Sequence, residues 1–184
     1  MKKKLLPTIL IAGMIISASG CGASQASKAE PDENGNYLVN GGFEASDFSG
    51  WTVTNVDNVT EELDIYTRDT DCFEGVQSLH FYSGSSNVDF TAEQTVSGLD
   101  DGTYKLTAHI QGDAAGDQNA EVYFYAVSDA GQIKADGELN GYVNWYTAEL
   151  SGIKPVNGEI TVGVKVATAP GGWGTIDDIS LVKE

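Results

Sequence analysis

From residue 37 onward, short runs of the chain alternate apolar and polar residues with the two-residue period of a β-strand. Clusters rich in Gly and Asp, such as residues 98–102 and 112–117, separate these runs and are typical of turns. No run shows a sustained helical period. The pattern predicts an all-β fold, a two-sheet β-sandwich. The predicted strands cover residues 78–82, 88–96, 103–111, 121–127, 145–150, 159–166 and 175–182.

The alternation also sorts the side chains of each strand between a core face and an outward face. Apolar side chains such as Leu79, Phe81 and Ile110 are predicted to point into the core. The outward positions carry aromatic, amide and imidazole groups. Because rings cover the C–H face of a sugar and planar polar groups bond its hydroxyls, this set predicts a carbohydrate site. Packing of single tyrosines at strand ends is the alternative. The set comprises Tyr82, His109, Gln111, Tyr123, Tyr125, Asn144 and Trp145.

The last predicted strand follows a glycine-rich loop that contains Trp173. This loop offers little to pack against, so we expect Trp173 to be displayed for a ligand. Within the strand, the alternation places Asp177 on the same face as Ile179 and Leu181. An ionised carboxylate is costly to bury without a partner or a cation. Asp177 is therefore predicted to bind a metal ion or, alternatively, to cap backbone amides at a strand edge.

The first twenty residues have the composition of a secretory leader, with lysines at 2–4, an apolar run at 5–16 and small residues before Cys21. The end of this segment resembles a bacterial lipobox, although Ala18 stands where leucine is commonest. The resemblance implies cleavage before Cys21, lipidation of its sulfur and anchoring to the outer face of the bacterial cell membrane. A plain secreted protein is the alternative. We divide the chain into a leader (1–20), a lipidated cysteine with a flexible tether (21–36) and one β-domain (37–184).

The formal net charge of the chain is −17, and loss of the three leader lysines would bring it to −20. Nucleic acid and anionic lipid headgroups repel so acidic a chain, so we expect no nucleic-acid partner and membrane attachment only through the lipid on Cys21. With Cys21 lipidated, Cys72 has no disulfide partner within the chain. One thiol and the two histidines are too few for a zinc site.

Several motifs, in order along the β-domain, are similar to those of carbohydrate-binding module family 61. They are Leu-Val-Asn-Gly-Gly-Phe-Glu at 38–44, Gly50-Trp51, Ser-Leu-His-Phe-Tyr-Ser at 78–83, Gln-Thr-Val-Ser-Gly-Leu at 94–99, Gly-Thr-Tyr-Lys-Leu at 102–106, Asn144-Trp145 and Trp-Gly-Thr-Ile-Asp-Asp at 173–178. The resemblance covers nearly the whole β-domain and implies a galactose-binding-like jelly roll that binds β-1,4-galactan. It also implies that Trp173 lies at the ligand and that Trp51 packs in the core.

The same resemblance implies a structural calcium ion between the first and last strands. By position, its ligands would be the carboxylates of Glu44 and Asp177 and main-chain carbonyls near Gly42 and Gly75, with Asp178 as the second choice. Calcium takes about six to eight oxygen ligands, and main-chain carbonyls are common among them. The chain departs from its relatives at residues 72–75, Cys-Phe-Glu-Gly, where they have a plain Ser-Gly turn.

These features predict a non-catalytic cell-surface lipoprotein that binds a neutral polysaccharide, with β-1,4-galactan or galacto-oligosaccharides as the expected ligand. Adjacent acids such as Asp177 and Asp178 point to opposite faces of a strand, so they do not face each other across a glycosidic bond. Arg68 is the only arginine that a lyase could use. A module for xylan or β-glucan and a protein-binding adhesin are the alternatives, ahead of a glycoside hydrolase or a polysaccharide lyase. We expect a monomer that works alongside surface glycoside hydrolases.

Overall fold

The computed structural model describes residues 27–55, 63–128 and 131–184, and ten strands lie in these ranges. They are β1 (Thr52–Asn55), β2 (Leu63–Tyr66), β3 (Ser78–Tyr82), β4 (Val88–Ser97), β5 (Tyr104–Asp113), β6 (Glu121–Ser128), β7 (Gly131–Asp136), β8 (Gly141–Ile153), β9 (Glu159–Thr168) and β10 (Trp173–Lys183). A 3₁₀ helix spans Asp69–Asp71. The first sheet has the strand order β1-β4-β9-β6-β7 and the second β2-β3-β10-β5-β8. The predicted all-β, two-sheet sandwich is confirmed.

The strands that the alternation does not predict are β1, β2 and β7, which lie at sheet edges. β1 and β2 have four residues each, and β7 is mostly polar. An edge strand pairs along one flank only and is often short or polar. Such a strand forms because its neighbour offers free backbone hydrogen-bonding groups, and local periodicity does not reveal this.

The core between the sheets consists of the side chains that the alternation directs inward. Leu79, Phe81 and Ile110 are fully buried, as are the inward residues of β9. Trp51, which the family resemblance places in the core, stacks on Phe43 with ring centroids 5.7 Å apart. Truncation of a core ring such as Phe81 to alanine typically costs about 3–5 kcal/mol. The inner faces thus supply the stability, and the outer faces are left to carry a site.

β10 does not keep one alternation along its length, which corrects the predicted face of Asp177. Asp177 lies opposite His109 on β5, but the register then shifts so that Ser180 lies opposite Thr107. The shift is a β-bulge at Asp178, whose φ is +45°. As a result, Asp177 lies on the outer face of the second sheet, while the residues after the bulge return to the core. Asp177 is 0% exposed because the loop before β3 covers it.

The segment before Tyr37, predicted to be a flexible tether, contacts the sandwich from residue 29 onward. The backbone N–H of Ala29 donates to the Gly98 carbonyl (2.9 Å). The side-chain carbonyl of Asn36 accepts the N–H of Leu181 in β10 (2.9 Å). These bonds hold residues 29–36 against the domain, because turn-forming Asp and Asn side chains satisfy backbone groups at its surface.

The predicted leader and the predicted lipidation site, Cys21, lie outside the described residues. Within the ranges that are described, no helix is both long enough and apolar enough to cross a membrane.

Candidate functional site

The outer face of the second sheet carries a cleft where β3 ends and β8 and β10 begin. Its volume is about 300 Å³. Four aromatic rings, a histidine and an Arg–Asp pair line it. We call it the aromatic cleft, and its residues are Tyr66, Arg68, Asp71, His80, Tyr82, Tyr142 and Trp173.

Three of the aromatic rings come together because their strands are neighbours or near neighbours in the second sheet. Trp173 of β10 lies directly opposite Tyr82 of β3. Its ring centroid is 6.0 Å from that of Tyr142, at an interplanar angle of 56°. Tyr82 and Tyr142 are each 47% exposed. Gly174 faces the core, where a Cβ would lie 2.5 Å from the Phe81 ring, so β10 can pack this closely only with glycine beside Trp173.

His80 provides a polar group between these rings. Its ring stacks on Tyr66, with centroids 3.6 Å apart and planes at 11°. Nδ1 lies 2.7 Å from Asp64 Oδ1, so Nδ1 carries the proton that faces the carboxylate. Burial lowers the pKa of His80, although Asp64 opposes this effect. The ring is therefore neutral at pH 7, and its Nε2 is left as a hydrogen-bond acceptor.

Arg68 and Asp71 form the charged part of the cleft. Arg68 Nε lies 3.2 Å from Asp71 Oδ2, and the guanidinium lies over the Tyr66 ring, 5.6 Å from its centroid. The hydrogen bond to Tyr142 and the nearby Asp71 carboxylate raise the pKa of Arg68. Although paired, Asp71 Oδ2 receives no aligned hydrogen bond and is fully buried beneath the cleft surface.

The residues between β2 and β3, which we call the cleft loop (residues 68–77), connect the cleft to the rest of the outer face. The Thr70 hydroxyl lies 2.5 Å from the Tyr142 hydroxyl. Further along, the Phe73 ring stacks on His109 at 3.5 Å, with planes 6° apart. Phe73 also meets the edge of Trp145, with centroids 5.6 Å apart. The loop therefore forms one wall of the cleft and covers the sheet beyond it.

The structure brings only part of the predicted carbohydrate set into this cleft. Trp173 and Tyr82 lie in it. Trp145 and His109 are on the same face of the same sheet, but both pack against Phe73, and His109 is buried by that contact. Phe73 thus occupies the surface of His109 that was predicted to meet a sugar.

Gln111 and Asn144, predicted to bond sugar hydroxyls, have their amides engaged within the protein. Gln111 is 0% exposed and bonds to Thr70, Thr175 and Val143. The structure does not bring Gln111 to the surface of the cleft, because the cleft loop and β8 enclose its side chain. The exposed Asn144 donates to the Asn140 carbonyl (3.1 Å) in its own turn.

Tyr123 and Tyr125 lie on the other sheet, so the prediction that they share a cleft with Trp173 is wrong. Both belong to β6, which pairs with β7 and β9. The ring of Tyr125 packs over Gly163, and its hydroxyl donates to Glu93 Oε1 (2.6 Å). Burial strongly raises the pKa of Tyr125. An outward position in a strand does not show on which side of the sandwich its sheet lies.

Sequence reasoning missed five residues of the cleft: Tyr66, Arg68, Asp71, His80 and Tyr142. Tyr66 ends a four-residue edge strand, and Tyr142 lies within the register shift of the β5–β8 pairing, so neither shows a clear period. One signal was available, since Arg68 is the only arginine of a very acidic chain and follows Tyr66 closely. A cation beside an aromatic ring is a common element of binding sites.

The residues predicted to hold calcium line a second cavity of about 590 Å³, between the segment before β1, the cleft loop and β10. These residues are Gly42, Glu44, Gly75, Asp177 and Asp178. In the described part of the chain, no three acidic, His or Cys side chains converge as a metal-binding group. An ion here would thus be held by two carboxylates together with main-chain carbonyls.

Both predicted carboxylates accept hydrogen bonds from backbone amides. Asp177 Oδ2 accepts the N–H groups of Phe73 (2.7 Å) and Glu74 (3.1 Å), while Oδ1 accepts only that of Asp178 (2.7 Å). Burial raises the pKa of Asp177 to about 7, although these three hydrogen bonds lower it. Capping of amides, the alternative expected for Asp177, is thus present, and Oδ1 retains an acceptor site.

Glu44 is arranged in the same way. Its Oε1 accepts the N–H groups of Val76 (2.8 Å) and Gln77 (3.0 Å), and a Cβ at Gly75 would collide with this oxygen. A Cβ at Gly42 would lie 3.4 Å from Asp177 Oδ1 and 3.8 Å from Glu44 Cγ. The two carboxylates therefore lie close to one glycine backbone, and the donors are all oxygen. This donor set fits calcium.

Comparison with solved structures shows the same architecture in carbohydrate-binding modules. A family 61 module solved with β-1,4-galactotriose superposes with a TM-score of 0.71 and 27% identity, over 81% of this chain and 99% of that one. A family 16 module gives 0.55 and 17% identity, over 79% and 99%. A tailspike protein of bacteriophage CBA120 gives 0.61 and 14% identity, over 82% of this chain but 22% of that one. The chain therefore has a fold like that of carbohydrate-binding module family 61.

The sequence comparisons returned no match, neither to a family model nor to a curated protein.

Proposed function

We propose that the protein is a non-catalytic carbohydrate-binding lipoprotein whose aromatic cleft binds β-1,4-galactan or galacto-oligosaccharides. One observation carries the proposal: Tyr82, Tyr142 and Trp173 present three rings beside polar groups, on a fold like that of a module solved with β-1,4-galactotriose. The axial 4-hydroxyl of galactose leaves a broad C–H patch on one ring face. An aromatic side chain stacks on such a patch.

The polar groups of the cleft match the hydroxyls of a sugar. Neutral His80 Nε2 accepts from hydroxyls, and Arg68, which Asp71 holds in place, donates to hydroxyl or ring oxygens. Bonds to charged groups are stronger than those between neutral groups. The cleft volume is at the low end of the ~300–1,000 Å³ that is usual for ligand pockets, so a short segment of the polysaccharide fills it.

The carboxylates near the cleft favour binding over hydrolysis. A glycosidase places two of them about 5–9.5 Å apart across the scissile bond, one as acid and one as base or nucleophile. Here Asp71 is paired with Arg68, and Asp64 is bonded to His80. Each carboxylate is thus engaged by a partner within the protein.

The proposal includes a structural calcium ion held by Glu44, Asp177 and main-chain carbonyls near Gly42 and Gly75. When bound, the ion would neutralise the two carboxylates and join the cleft loop to β10. The proposal also includes a lipid on Cys21 that anchors a monomer to the outer face of the cell membrane. There the protein works beside surface glycoside hydrolases and has no nucleic-acid partner.

The test is affinity electrophoresis of the detergent-solubilised chain through native gels containing galactan, arabinan, xylan, β-glucan or no polysaccharide. We expect only galactan to slow the migration of the protein. We also expect the galactan to keep its full length after contact with the protein. Shortened galactan would indicate an enzyme, and retardation by xylan or β-glucan another ligand. If no polysaccharide slows the migration of the protein, the proposal is overturned and an adhesin is favoured.

Titration calorimetry with galactotriose then locates the site. Trp173→Ala is expected to cost about 2 kcal/mol or more, over tenfold in affinity, because truncation removes a stacking ring. Tyr123→Ala is the matched control, since it removes a partly buried aromatic side chain on the other sheet. If the two variants bind equally well, the ligand does not occupy the aromatic cleft.

A further inference from the structure

Gln111 is a polar side chain on the outer face of the second sheet, yet it is 0% exposed. Its Nε2 donates to the Thr70 carbonyl (2.9 Å) and to Thr175 Oγ1 (3.1 Å). Its Oε1 accepts the N–H of Val143 (2.5 Å). One carboxamide therefore joins the cleft loop, β10 and β8. A ligand cannot touch this side chain without displacing one of these elements.

Each partner of Gln111 is adjacent or close to a residue of the aromatic cleft. Thr70 precedes Asp71, and its hydroxyl bonds to that of Tyr142. Val143 follows Tyr142, and Thr175 belongs to the same strand as Trp173. The amide thus lies behind both the loop wall and the β8 wall. The Gln111 side chain, with its hydrogen bonds, therefore spans the distance between the cleft loop and β8.

The backbone at Val143 shows why such a support is needed. Val143 has φ = +60°, a left-handed conformation that is a true outlier for a β-branched residue. Such a conformation costs about 1–3 kcal/mol and persists only where surrounding contacts impose it. The register of the β5–β8 pairing shifts at this point, between Ile110 and Gly112. In this conformation the N–H of Val143, next to Tyr142, bonds to Gln111 Oε1.

We propose that Gln111 is a positioning residue for the carbohydrate cleft: it never contacts the ligand, and its amide holds Asp71 and Tyr142 at the spacing that a sugar requires. The inference rests on the proposed function, since it concerns the same cleft. Both a donor and an acceptor are needed, so glutamate, which keeps the acceptor and loses both donors, does not replace it. If the competent arrangement falls to about a tenth of the population, affinity falls about tenfold.

The test compares Gln111→Met and Gln111→Glu with a matched control, Gln94→Met, in the detergent-solubilised full chain. Gln94 is also a buried glutamine, and its amide makes two hydrogen bonds, with the N–H and the carbonyl of Val39 (2.7 and 2.9 Å), near β1 and away from the cleft. Both methionine variants lose stability. We expect only the Gln111 variants to weaken galactotriose binding, by about tenfold, in calorimetric titrations.

Two further measurements separate positioning from a general loss of stability. Hydrogen–deuterium exchange of the ligand-free protein is expected to quicken in residues 68–73 and 141–146 for Gln111→Met and not for Gln94→Met. In a Tyr142→Ala background, Gln111→Met is expected to cost less affinity than in the parent, because part of its effect passes through Tyr142.

The outcomes are distinguishable. Unchanged exchange at both walls overturns the inference, whatever the protein binds. Faster exchange with unaltered galactotriose affinity also overturns it, since the cleft then does not need the support. A parent that binds none of the polysaccharides refutes the proposed function instead, and the exchange data alone then decide whether Gln111 sets the geometry of the cleft.

Discussion

Replacement of Tyr142 by alanine tests the aromatic cleft at a residue that only the structure identifies. Tyr142 is 47% exposed, its ring lies 6.0 Å from that of Trp173, and its hydroxyl lies 2.5 Å from that of Thr70. The substitution therefore removes two things at once. It removes a ring face from the cleft, and it releases the cleft loop.

The two losses are of similar size. An aromatic side chain offers roughly 150–250 Å², so the exposed part of Tyr142 is about 90 Å², and a sugar stacked on one face covers about half of it. At about 25 cal/mol per Å², this stacking contributes about 1 kcal/mol. Loss of the hydrogen bond to Thr70 shifts the free cleft away from the binding arrangement, and we expect this to cost about another 1 kcal/mol of affinity. We expect Tyr142→Ala to weaken galactotriose binding about thirtyfold, and Tyr142→Phe, which loses only the hydroxyl, about fivefold.

Calorimetric titration of both variants measures these losses, with thermal melting to show that the fold persists. The ratio between them is the informative quantity. If the galactotriose affinity of Tyr142→Ala is within twofold of the parent while Trp173→Ala does not bind, Tyr142 does not contact the ligand. If Tyr142→Phe loses as much as Tyr142→Ala, the contribution of the ring face is refuted and only the hydrogen bond matters.

The proposed calcium site, the buried His80 and the proposed lipid on Cys21 can each be tested separately. Removal of calcium with a chelator is expected to lower the melting temperature by about 5–10 °C, which is the effect of losing a ligand present at about a hundredfold its dissociation constant. Glu44→Gln is expected to abolish this effect of the chelator. If the chelator still lowers the melting temperature of Glu44→Gln, the site is contradicted. Because burial lowers the pKa of His80, the folded state resists its protonation, so the stability from neutral His80 is present above pH ~6.5 and is lost as the pH falls through the lowered value. His80→Phe, which keeps a ring against Tyr66, is expected to flatten this acid limb of the melting temperature, and an identical pH profile in parent and variant would refute the assignment. Cys21→Ala is expected to release the protein from the membrane to the medium, and membrane retention of that variant, measured by detergent partitioning, would refute the lipid anchor.

Alternation along a strand is a local property, so the inner faces of the strands could be predicted from residue order. Leu79, Phe81 and Ile110 point into the core because successive side chains of a strand point to opposite sides, whatever the neighbouring strand is. The same rule correctly turns Tyr82, Tyr123 and Tyr125 away from the core. It does not assign these tyrosines to a sheet, since that depends on the pairing of strands far apart in the chain.

Asp177 shows a second limit. Alternation places it with Ile179, but the bulge at Asp178 reverses the phase within β10. A bulge is decided by the two strands together, because the partner strand fixes which backbone groups are bonded. The alternation and the structure both make Asp177 a buried acid, but they place its side chain on opposite faces of β10.

Residue chemistry and short-range order were therefore enough to determine a β-sandwich, its core and the display of Tyr82 and Trp173 beside a sheet. Only the packing of distant segments decided which groups meet. The cleft loop lies across β5 and β10, and this single docking buries Gln111, covers His109 with Phe73 and brings Arg68, Asp71 and Tyr142 to one cleft. The position of a loop on a sheet depends on contacts between residues that are far apart in the sequence, such as the bonds of Phe73 to Asp177 and of Thr70 to Tyr142. No period along the chain encodes such contacts.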